Sequence, residues 1–309
     1  MADRLLRLGT RGSALALAQS GGVAATVIAE LCRHVEMVSV QTQGDLSSEA
    51  ITALGGTGVF VTALRDALLR DEVDFAVHSY KDLPTAAADG LVVVAVPPRQ
   101  DARDVLVARD NLTLGELPAG SRVGTGSPRR TAQLLALGLG LEVVPIRGNV
   151  DTRIRKVADG EVDGVVLARA GLARLDRLDE ISEVIDPLQM LPAPAQGALA
   201  IECRADDDEL LELLASLDDS DTRAAVDAER ALLAALEAGC TAPVGALAEV
   251  AEGDDGSELF LRGLVAAADG TDVVRLSATG PTSDAKGVGS RLAAELLDLG
   301  AADLMGVTR

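Results

Sequence analysis

The 309-residue sequence has few aromatic residues, few cysteines and no tryptophan. One tyrosine and three phenylalanines are too few to build surfaces on which bases or sugars stack. The three cysteines, Cys32, Cys203 and Cys240, are odd in number and far apart, which fits neither a disulfide framework nor a zinc site. We predict that Cys32, in a helix, and Cys203, in a strand, are core residues. Cys240 lies in a predicted loop, where the spacing is equally compatible with a structural thiol and a reactive one.

Basic residues are also scarce, because 28 lysines and arginines stand against 48 acidic residues and leave a net charge of −20. So acidic a chain repels the phosphates of nucleic acids and anionic lipid surfaces. The N-terminal "MADRLLRLGTRGS" lacks the apolar centre of a signal peptide, and we see no apolar run of membrane-spanning length. We therefore expect a cytoplasmic protein with no nucleic-acid partner and no membrane partner.

What the chain does have is a regular alternation of short apolar strands and amphipathic helices. Strand-like runs such as "VDFAVHS" and "DVLVARD" are separated by helical patterns, which predicts α/β domains with largely parallel sheets. Proline-containing stretches at 96–104 and 191–197 look like domain junctions. The last ninety or so residues predict a small α+β domain, with a hairpin that turns at Asp269 and Gly270 and a closing helix.

Several of the arginines stand at the predicted ends of strands. Ser127 and Pro128 have the residue types of a helix start, which places Arg129 and Arg130 in a first turn that disfavours cations by roughly 0.3–1 kcal/mol. An anionic ligand would reverse that balance, since a charge-assisted hydrogen bond contributes about 1.5–3 kcal/mol. Surface arginines in loops are ordinary when taken singly. Here they recur at the carboxyl ends of predicted strands, the edge of an open α/β sheet where ligands bind. The further members of this set are Arg11, Arg147 and Arg153.

The ligand that these arginines favour is a small molecule with several carboxylates or phosphates. The sequence has no metal-binding loop and no nucleotide-binding "GxxxxGK[ST]" motif, so we predict no metal site. The glycine-rich "GGTGVF" at 55–60 lacks a full dinucleotide fingerprint and is predicted to be a mobile loop.

Asp82 follows a buried strand in "VDFAVHSYKDLPT" and emerges beside Lys81. One interpretation is a turn-forming aspartate before Leu83 and Pro84. The other is a carboxylate that neighbouring cations keep ionised, able to move protons or to stabilise a developing positive charge. The residues alone do not decide between the two.

Taken together, these stretches closely resemble the porphobilinogen deaminase family of heme biosynthesis, almost from end to end. The motifs that carry the resemblance are "LRLGTRGSALALAQ", "GGTGVFVTALRDALL", "DFAVHSYKDLPT", "VGTGSPRRTAQL", "IRGNVDTRI", "LARAGLARL", "LPAPAQGALAIECR" and "ERALLAALEAGCTAPVG".

The resemblance implies a transferase that joins four porphobilinogen molecules head to tail, with loss of ammonia, into hydroxymethylbilane. It implies a dipyrromethane cofactor held by a thioether to Cys240, and it makes Asp82 the catalytic residue. Each pyrrole ring carries acetate and propionate groups, so the growing chain is a series of carboxylates. Residues matching the family's substrate-binding and cofactor-binding positions are Arg11, Ser13, Lys81, Thr125, Ser127, Arg129, Arg130, Arg147, Arg153, Arg174 and Gln196.

The implied fold has three domains, of which the first two resemble the lobes of periplasmic binding proteins with the active site in the cleft between them. Domain 1 comprises 1–97 and 198–217, domain 2 comprises 103–191, and domain 3, with the cofactor cysteine, comprises 220–309. We expect a monomer. One departure is that Ala53, Thr57 and Thr62 stand where many relatives carry lysines, so we hypothesise that the glycine-rich loop contributes less charge here.

Two other classes of protein fit part of the sequence. A non-enzymatic, two-lobed protein that binds a small anion would explain the arginines and the sheets, but neither Asp82 beside Lys81 nor Cys240. A phosphate-binding transferase that uses the glycine-rich loop would need a cluster of metal-binding carboxylates, which the sequence lacks.

Overall fold

The computed structural model describes residues 4–40, 58–238, 242–253 and 256–306. Strands and helices alternate along these residues, which confirms the predicted α/β class. The strands are β1 (Leu6–Thr10), β2 (Val35–Ser39), β3 (Phe75–Ser79), β4 (Leu91–Ala95), β5 (Asp104–Ala108), β6 (Arg122–Thr125), β7 (Glu142–Pro145), β8 (Gly164–Ala168), β9 (Glu183–Val184), β10 (Leu199–Arg204), β11 (Val244–Gly253), β12 (Gly256–Ala266) and β13 (Val273–Pro281). The helices are α1 (Ala14–Leu31), α2 (Gly58–Leu69), α3 (Pro128–Ala136), α4 (Val150–Ala158), α5 (Arg169–Arg174), α6 (Asp208–Ala215), α7 (Ser220–Ala235), α8 (Ala285–Asp298) and α9 (Ala301–Leu304).

The chain forms two compact units, each made of two separate stretches. Unit 1 comprises 1–99 and 198–223, and unit 2 comprises 100–197 and 224–309. The division into three domains that the sequence suggested remains a prediction.

Unit 1 is built on one five-stranded sheet with the order β2-β1-β3-β10-β4. One face packs against α1 and α6, with Val27 and Leu214 among its buried side chains, and the other face packs against α2 through Leu64 and Leu68. The strands alternate accordingly, because Phe75 belongs to the first of these cores and Ala76 to the second. Helices therefore cover both faces of the sheet.

Unit 2 contains a second five-stranded sheet, with the order β7-β6-β8-β5-β9. Ile154 of α4 and Leu172 of α5 are buried on one face, and Leu134 of α3 is buried on the other. This arrangement brings the start of α3 to the end of β6, and the start of α4 close to the end of β7.

The expectation of largely parallel sheets is only half right. Strand β1 is parallel to β2 and β3, and β6 is parallel to β7 and β8, but β10 and β5 each run antiparallel to both of their neighbours. A parallel neighbour requires a crossover connection, usually a helix. Both exceptional strands instead follow the two proline-containing junctions directly, so each enters its sheet without such a helix.

The C-terminal part of unit 2 contains an antiparallel sheet of β11, β12 and β13 that packs against α7 and α8. The predicted hairpin is confirmed: Gly270 takes a positive φ of 72° and its N–H donates to the carbonyl of Ala267. The closing helix is also confirmed as α8. A smaller core joins this part to the rest of unit 2, through Leu247 and Leu264 on one side and Ala132 and Leu191 on the other.

Cys32 is exposed, which contradicts its predicted place in the core, because α1 ends at Leu31 and Cys32 forms the left-handed turn that follows, with a φ of 52°. Cys203 is buried, as predicted. Among the described residues, α1 is the one helix long and apolar enough to match a membrane span, a property shared by core helices of soluble proteins. Here its Val23 and Val27 lie in the core of unit 1.

Candidate active site

In unit 1, Asp82 ends a short 3-10 turn, Tyr80–Asp82, that follows the buried strand β3. The N–H of Tyr80 donates to the carbonyl of Ala198 at 3.1 Å, and the N–H of Leu83 donates to the carbonyl of Tyr80 at 3.2 Å. These bonds hold the backbone on both sides of Lys81 and Asp82. The Asp82 carboxylate is half-buried and, within the described part of the chain, accepts no hydrogen bond and forms no ion pair. It is therefore available to a bound molecule.

The start of α1 supplies the other predicted residues of unit 1. Ser13 caps the helix as predicted, because its hydroxyl accepts from the N–H of Ala16 at 3.3 Å. Arg11 lies at the preceding strand end and is half-buried. Gln19, which sequence reasoning did not single out, is buried and donates to the hydroxyl of Ser79 at 2.8 Å, directly before the Asp82 turn. The helix is thus fixed to the strand that leads to Asp82.

In unit 2, α3 begins as the sequence predicted. Ser127 is its N-cap, 3.5 Å from the backbone nitrogen of Arg130, and Pro128 occupies the first turn. The buried hydroxyl of Thr125 accepts from the N–H of Ser127 at 3.2 Å and so fixes the cap in turn. The two predicted polar contacts are therefore part of the helix start itself.

Arg129 and Arg130 follow this cap but point inward, with only 4% and 6% of their surface exposed. Both meet the carboxylate of Asp104, which is fully buried at the start of β5. Arg130 donates from Nε at 3.1 Å and from Nη2 at 2.8 Å to Oδ1, whereas Arg129 Nη1 lies 2.8 Å from Oδ2 as an ion pair without hydrogen-bond alignment. The arginine pair thus already has one internal counter-ion.

Asp104 was missed by the sequence reasoning. Burial by itself would raise its pKa, but the charges of Arg129 and Arg130, with hydrogen bonds from Arg130 and Gln196, lower the pKa to about 2. The sequence signal that could have revealed Asp104 is its position at the start of the apolar run "DVLVA". An acid in a buried strand is almost always paired, so this position indicates a buried cationic partner.

The other predicted arginines of unit 2 differ in the hydrogen bonds that they already make to the protein. Burial, with the charge of Arg130, lowers the pKa of Arg153, whose Nε donates to the carbonyl of Gly148 at 2.8 Å. Burial also lowers the pKa of Arg174 to about 10, and its Nη2 donates to the carbonyl of Gly197 at 2.7 Å. Arg147 is exposed and has no hydrogen bond or ion pair with any residue that the structure describes.

The charge balance of unit 2 favours anions. Three guanidinium groups, those of Arg129, Arg130 and Arg153, are partly or wholly buried near the start of α3, and one carboxylate, Asp104, is paired with the first two. Guanidinium groups in such surroundings bind carboxylates or phosphates in a defined geometry. No group of three metal-ligating side chains lies together within the described ranges. Carboxylates of a bound organic molecule fit this donor set.

Some predicted residues cannot be placed. Cys240 lies outside the described residues, as do Ala53 and Thr57 of the glycine-rich stretch, while Thr62 is exposed on α2. The remaining predicted contact, Gln196, is buried and donates from Nε2 to Asp104 at 2.8 Å and to the carbonyl of Ala102 at 2.7 Å.

Fold and side chains together place this chain in a class of α/β proteins that have a cluster of buried arginines. A family model described as "Porphobilinogen deaminase, dipyromethane cofactor binding domain" matches residues 6–212, and one described as "Porphobilinogen deaminase, C-terminal domain" matches residues 223–298. The chain belongs to the porphobilinogen deaminase family.

Curated relatives agree along almost the whole chain. A porphobilinogen deaminase from Mycobacterium tuberculosis (strain ATCC 25618 / H37Rv) is 60% identical over 306 residues, which cover 97% of this chain and 98% of the relative. One from Nocardia farcinica (strain IFM 10152) is 60% identical over 305 residues, with 97% and 88% covered. The chain is accordingly a transferase of porphyrin and heme biosynthesis, with a domain of the type that binds the dipyrromethane cofactor.

Solved structures of another kind match the backbone more distantly. A periplasmic substrate-binding protein of an ABC transporter from Coxiella burnetii matches 69% of this chain and 91% of its own, with a TM-score of 0.44 at 13% identity. A putative methionine-binding lipoprotein from Bacillus subtilis matches 70% and 91%, with a TM-score of 0.43 at 14% identity.

Proposed function

We propose that the chain joins four porphobilinogen molecules head to tail, with loss of ammonia, on a dipyrromethane primer attached by a thioether to Cys240. The observation that carries this proposal is the 60% identity to porphobilinogen deaminases over 97% of the chain. Water then cleaves the bond between the primer and the four-unit chain, which gives hydroxymethylbilane its hydroxyl group and returns a proton to the primer's α-carbon. The same proposal includes a monomeric, cytoplasmic enzyme with no nucleic-acid partner and no membrane partner, in keeping with the net charge of −20.

Asp82 is the proposed catalytic residue. In each condensation the bond between the aminomethyl carbon and nitrogen breaks, and the nitrogen leaves as ammonia. A new bond joins that carbon to the free α-carbon of the terminal ring, which then loses its proton. The methylene-pyrrole formed in between is cationic, so a carboxylate beside it lowers its energy and can afterwards accept the ring proton. The Asp82 carboxylate, which has no ion-pair partner in the described part, suits that role.

The arginines are proposed to hold the acetate and propionate groups of the primer and the growing chain. When bound, the primer would supply the free α-carbon that accepts the first unit, and the last ring added would accept each later one. Residues proposed for binding are Arg11, Arg129, Arg130, Arg147, Arg153 and Arg174, with support from Lys81, Ser13, Thr125, Ser127 and Gln196. The last three act chiefly by fixing the start of α3 and Asp104, because their polar atoms bind the protein itself.

Intact-mass spectrometry of freshly purified protein tests the proposal. We expect a mass excess equal to one dipyrromethane unit in the natural chain and none in Cys240→Ser. Cys203→Ser is the matched control, because Cys203 is buried and burial raises the pKa of its thiol to about 12, which leaves it without nucleophilic thiolate. Active protein of unmodified mass would contradict the proposal.

The alternative of a non-enzymatic anion-binding protein is not favoured. Family models for the deaminase match both the N-terminal two thirds and the C-terminal part of the chain. A binding protein would need neither the C-terminal domain nor a carboxylate such as Asp82, which has no ion-pair partner among the described residues.

A further inference from the structure

Asp104 joins three segments that are far apart in the sequence of unit 2. Its Oδ1 accepts from Nε and Nη2 of Arg130 and from Nε2 of Gln196, and its Oδ2 is paired with Arg129. The carboxylate therefore contacts the start of α3 and the segment before β10 while it belongs to β5. Its side chain is fully buried, so these contacts are shielded from salt and water.

A second set of hydrogen bonds closes this arrangement into a ring. Nη1 of Arg129 donates to the carbonyl of Leu191 at 2.7 Å, and Gln133, one turn further along α3, both donates to that carbonyl at 3.0 Å and accepts from the Leu191 N–H at 2.7 Å. Five residues later the chain reaches Gln196, which returns to Asp104. The ring thus runs from Asp104 through α3 and residues 191–196 back to Asp104.

The two arginines make different contacts within this ring. Arg129 uses the same Nη1 for Leu191 and Asp104, is 4% exposed, and braces α3 against the 191–196 segment. Arg130 donates to Asp104 from one edge and to the carbonyl of Val166 at 2.9 Å from Nη1. Three of its five N–H groups are thereby fixed, and no described residue accepts from the other two, which are left for a ligand.

The charges make the carboxylate necessary for this orientation. Two guanidinium groups side by side in a buried place repel each other, and a buried charge that loses its partner is strongly destabilising. Asp104 lies between them and neutralises one of the two charges. A net charge of about +1 then remains on the three groups together, and the plane of Arg130 is fixed by its two bonds to Asp104.

We propose that Asp104 is a positioning residue for the condensation. Its buried carboxylate fixes the orientation of Arg130, which binds carboxylates of the substrate chain. The same carboxylate holds Arg129 as a structural link between α3 and residues 191–196. This inference rests on the proposed function, because it concerns how the same arginines bind the carboxylates of the primer and the growing chain. It assigns the two neighbouring arginines different tasks. It also explains why a carboxylate is buried inside a site that binds carboxylates.

The test compares Asp104→Asn with Asp101→Asn in the holoenzyme. Asp101 lies three residues earlier, is partly exposed, and pairs with Arg103 and Arg169 outside the ring. For Asp104→Asn we expect KM for porphobilinogen to rise by about tenfold or more, with kcat changed by less than about threefold, because the amide lacks the negative charge that strengthens both bonds from Arg130 and balances Arg129. Asp101→Asn keeps the natural KM. Natural or lowered KM in folded Asp104→Asn overturns the inference.

A second variant covers the case in which Asp104→Asn does not fold. The double variant Asp104→Asn/Arg129→Met removes one cation together with the anion, so it leaves no additional buried charge. We expect it to melt at a higher temperature than Asp104→Asn and to have a higher KM than Arg129→Met alone. A double variant whose KM equals that of Arg129→Met overturns the inference.

Intact mass separates this result from a failure of the proposed function. If the natural chain carries no dipyrromethane mass, the proposed function is wrong. If the natural chain and Asp101→Asn are loaded, a folded Asp104→Asn that is loaded and has the natural KM refutes only the positioning role. A folded Asp104→Asn without the dipyrromethane mass supports that role, because the carboxylates of the primer would be bound by the same arginine.

Discussion

At the scale of single residues, each unit contains a fully buried aspartate surrounded by arginines. Asp104 plays this part in unit 2, and Asp74 plays it in unit 1, where Arg4, Arg7 and Arg204 surround it. Burial would raise the pKa of Asp74, but hydrogen bonds from Arg7 and Arg4 outweigh it and lower the pKa to about 2. Such a carboxylate ties stability to pH.

We expect Asp74 to make the protein sensitive to acid. A carboxylate whose pKa falls from 3.8 to about 2 on folding stabilises the folded state above pH 3.8, and that contribution is lost as the pH falls towards 2. The loss amounts to about 2 kcal/mol of unfolding free energy. Urea unfolding between pH 5 and pH 2 measures it, and Asp74→Asn is expected to have a correspondingly shallower pH dependence.

The control for this prediction is Asp71→Asn. Asp71 contacts Arg7 and Arg204, two of the same arginines, but its side chain is 68% exposed, so its ion pairs contribute little to stability. An equal flattening of the pH dependence in both variants would show that the buried carboxylate is not the cause.

Asp82 gives the prediction for the reaction itself. Asp82→Asn keeps the shape of the side chain but can neither stabilise a cation by charge nor accept the ring proton. We expect kcat to fall by about two orders of magnitude or more, with the melting temperature nearly unchanged, because Asp82 makes no hydrogen bond or ion pair in the described part of the chain. Steady-state kinetics and thermal melting measure this; near-natural turnover would remove Asp82 from the mechanism.

At the scale of secondary-structure elements, helix α3 is fixed from both ends. Asp104 and Leu191 hold its start, and the turn of the β12–β13 hairpin packs against its last residues. A Cβ atom added at Gly270 would lie 2.7 Å from the backbone nitrogen of Ala136 and 2.8 Å from the carbonyl of Ala132. The C-terminal sheet therefore helps to place the helix that carries both arginines.

Gly270→Ala tests this contact, and Gly138→Ala is its matched control. Both glycines have a positive φ, 72° and 66°, so alanine costs about 1 kcal/mol of strain at either position. A Cβ atom at Gly138 meets nothing within 4 Å, whereas at Gly270 it meets backbone atoms of α3. We expect Gly270→Ala to lower the unfolding free energy by a further 1–3 kcal/mol or so, measured by urea unfolding. Equal losses in the two variants would contradict the packing role.

The elements also show what local sequence can reveal. Ser127 and Pro128 predicted the start of α3, and Asp269 with Gly270 predicted the hairpin turn, because caps and turns depend on neighbouring residues. The directions of β5 and β10 and the pairing of Arg130 with Asp104 were not predicted. These depend on residues 26 or more positions apart, which tertiary packing brings together. The inward direction of both guanidinium groups could not be inferred without that partner.

At the scale of the whole molecule, the net charge of −20 opposes the approach of a substrate that carries carboxylates. The arginines act locally, whereas the repulsion acts over the Debye length, about 30 Å at 0.01 M salt and about 8 Å at 0.15 M. We expect kcat/KM for porphobilinogen to rise as salt is added up to about 0.1 M, because repulsion is screened first.

Above that concentration we expect kcat/KM to fall, since direct ion pairs with partly exposed arginines weaken. Initial rates across a sodium chloride series measure this, and an uncharged osmolyte series controls for water activity. A fall in kcat/KM that begins at the lowest salt concentration would show that the arginines control the approach of the substrate as well as its binding.

The order of strands in unit 1 has a consequence for the synthesis of the protein. Strand β3, which leads to Asp82, lies between β1 and β10, and β10 is made of residues 199–204. A nascent chain therefore keeps one edge of β3 open until at least 204 of the 309 residues have left the ribosome. The sheet that precedes the Asp82 turn is completed late, so a prematurely terminated polypeptide has an unfinished sheet where that turn begins.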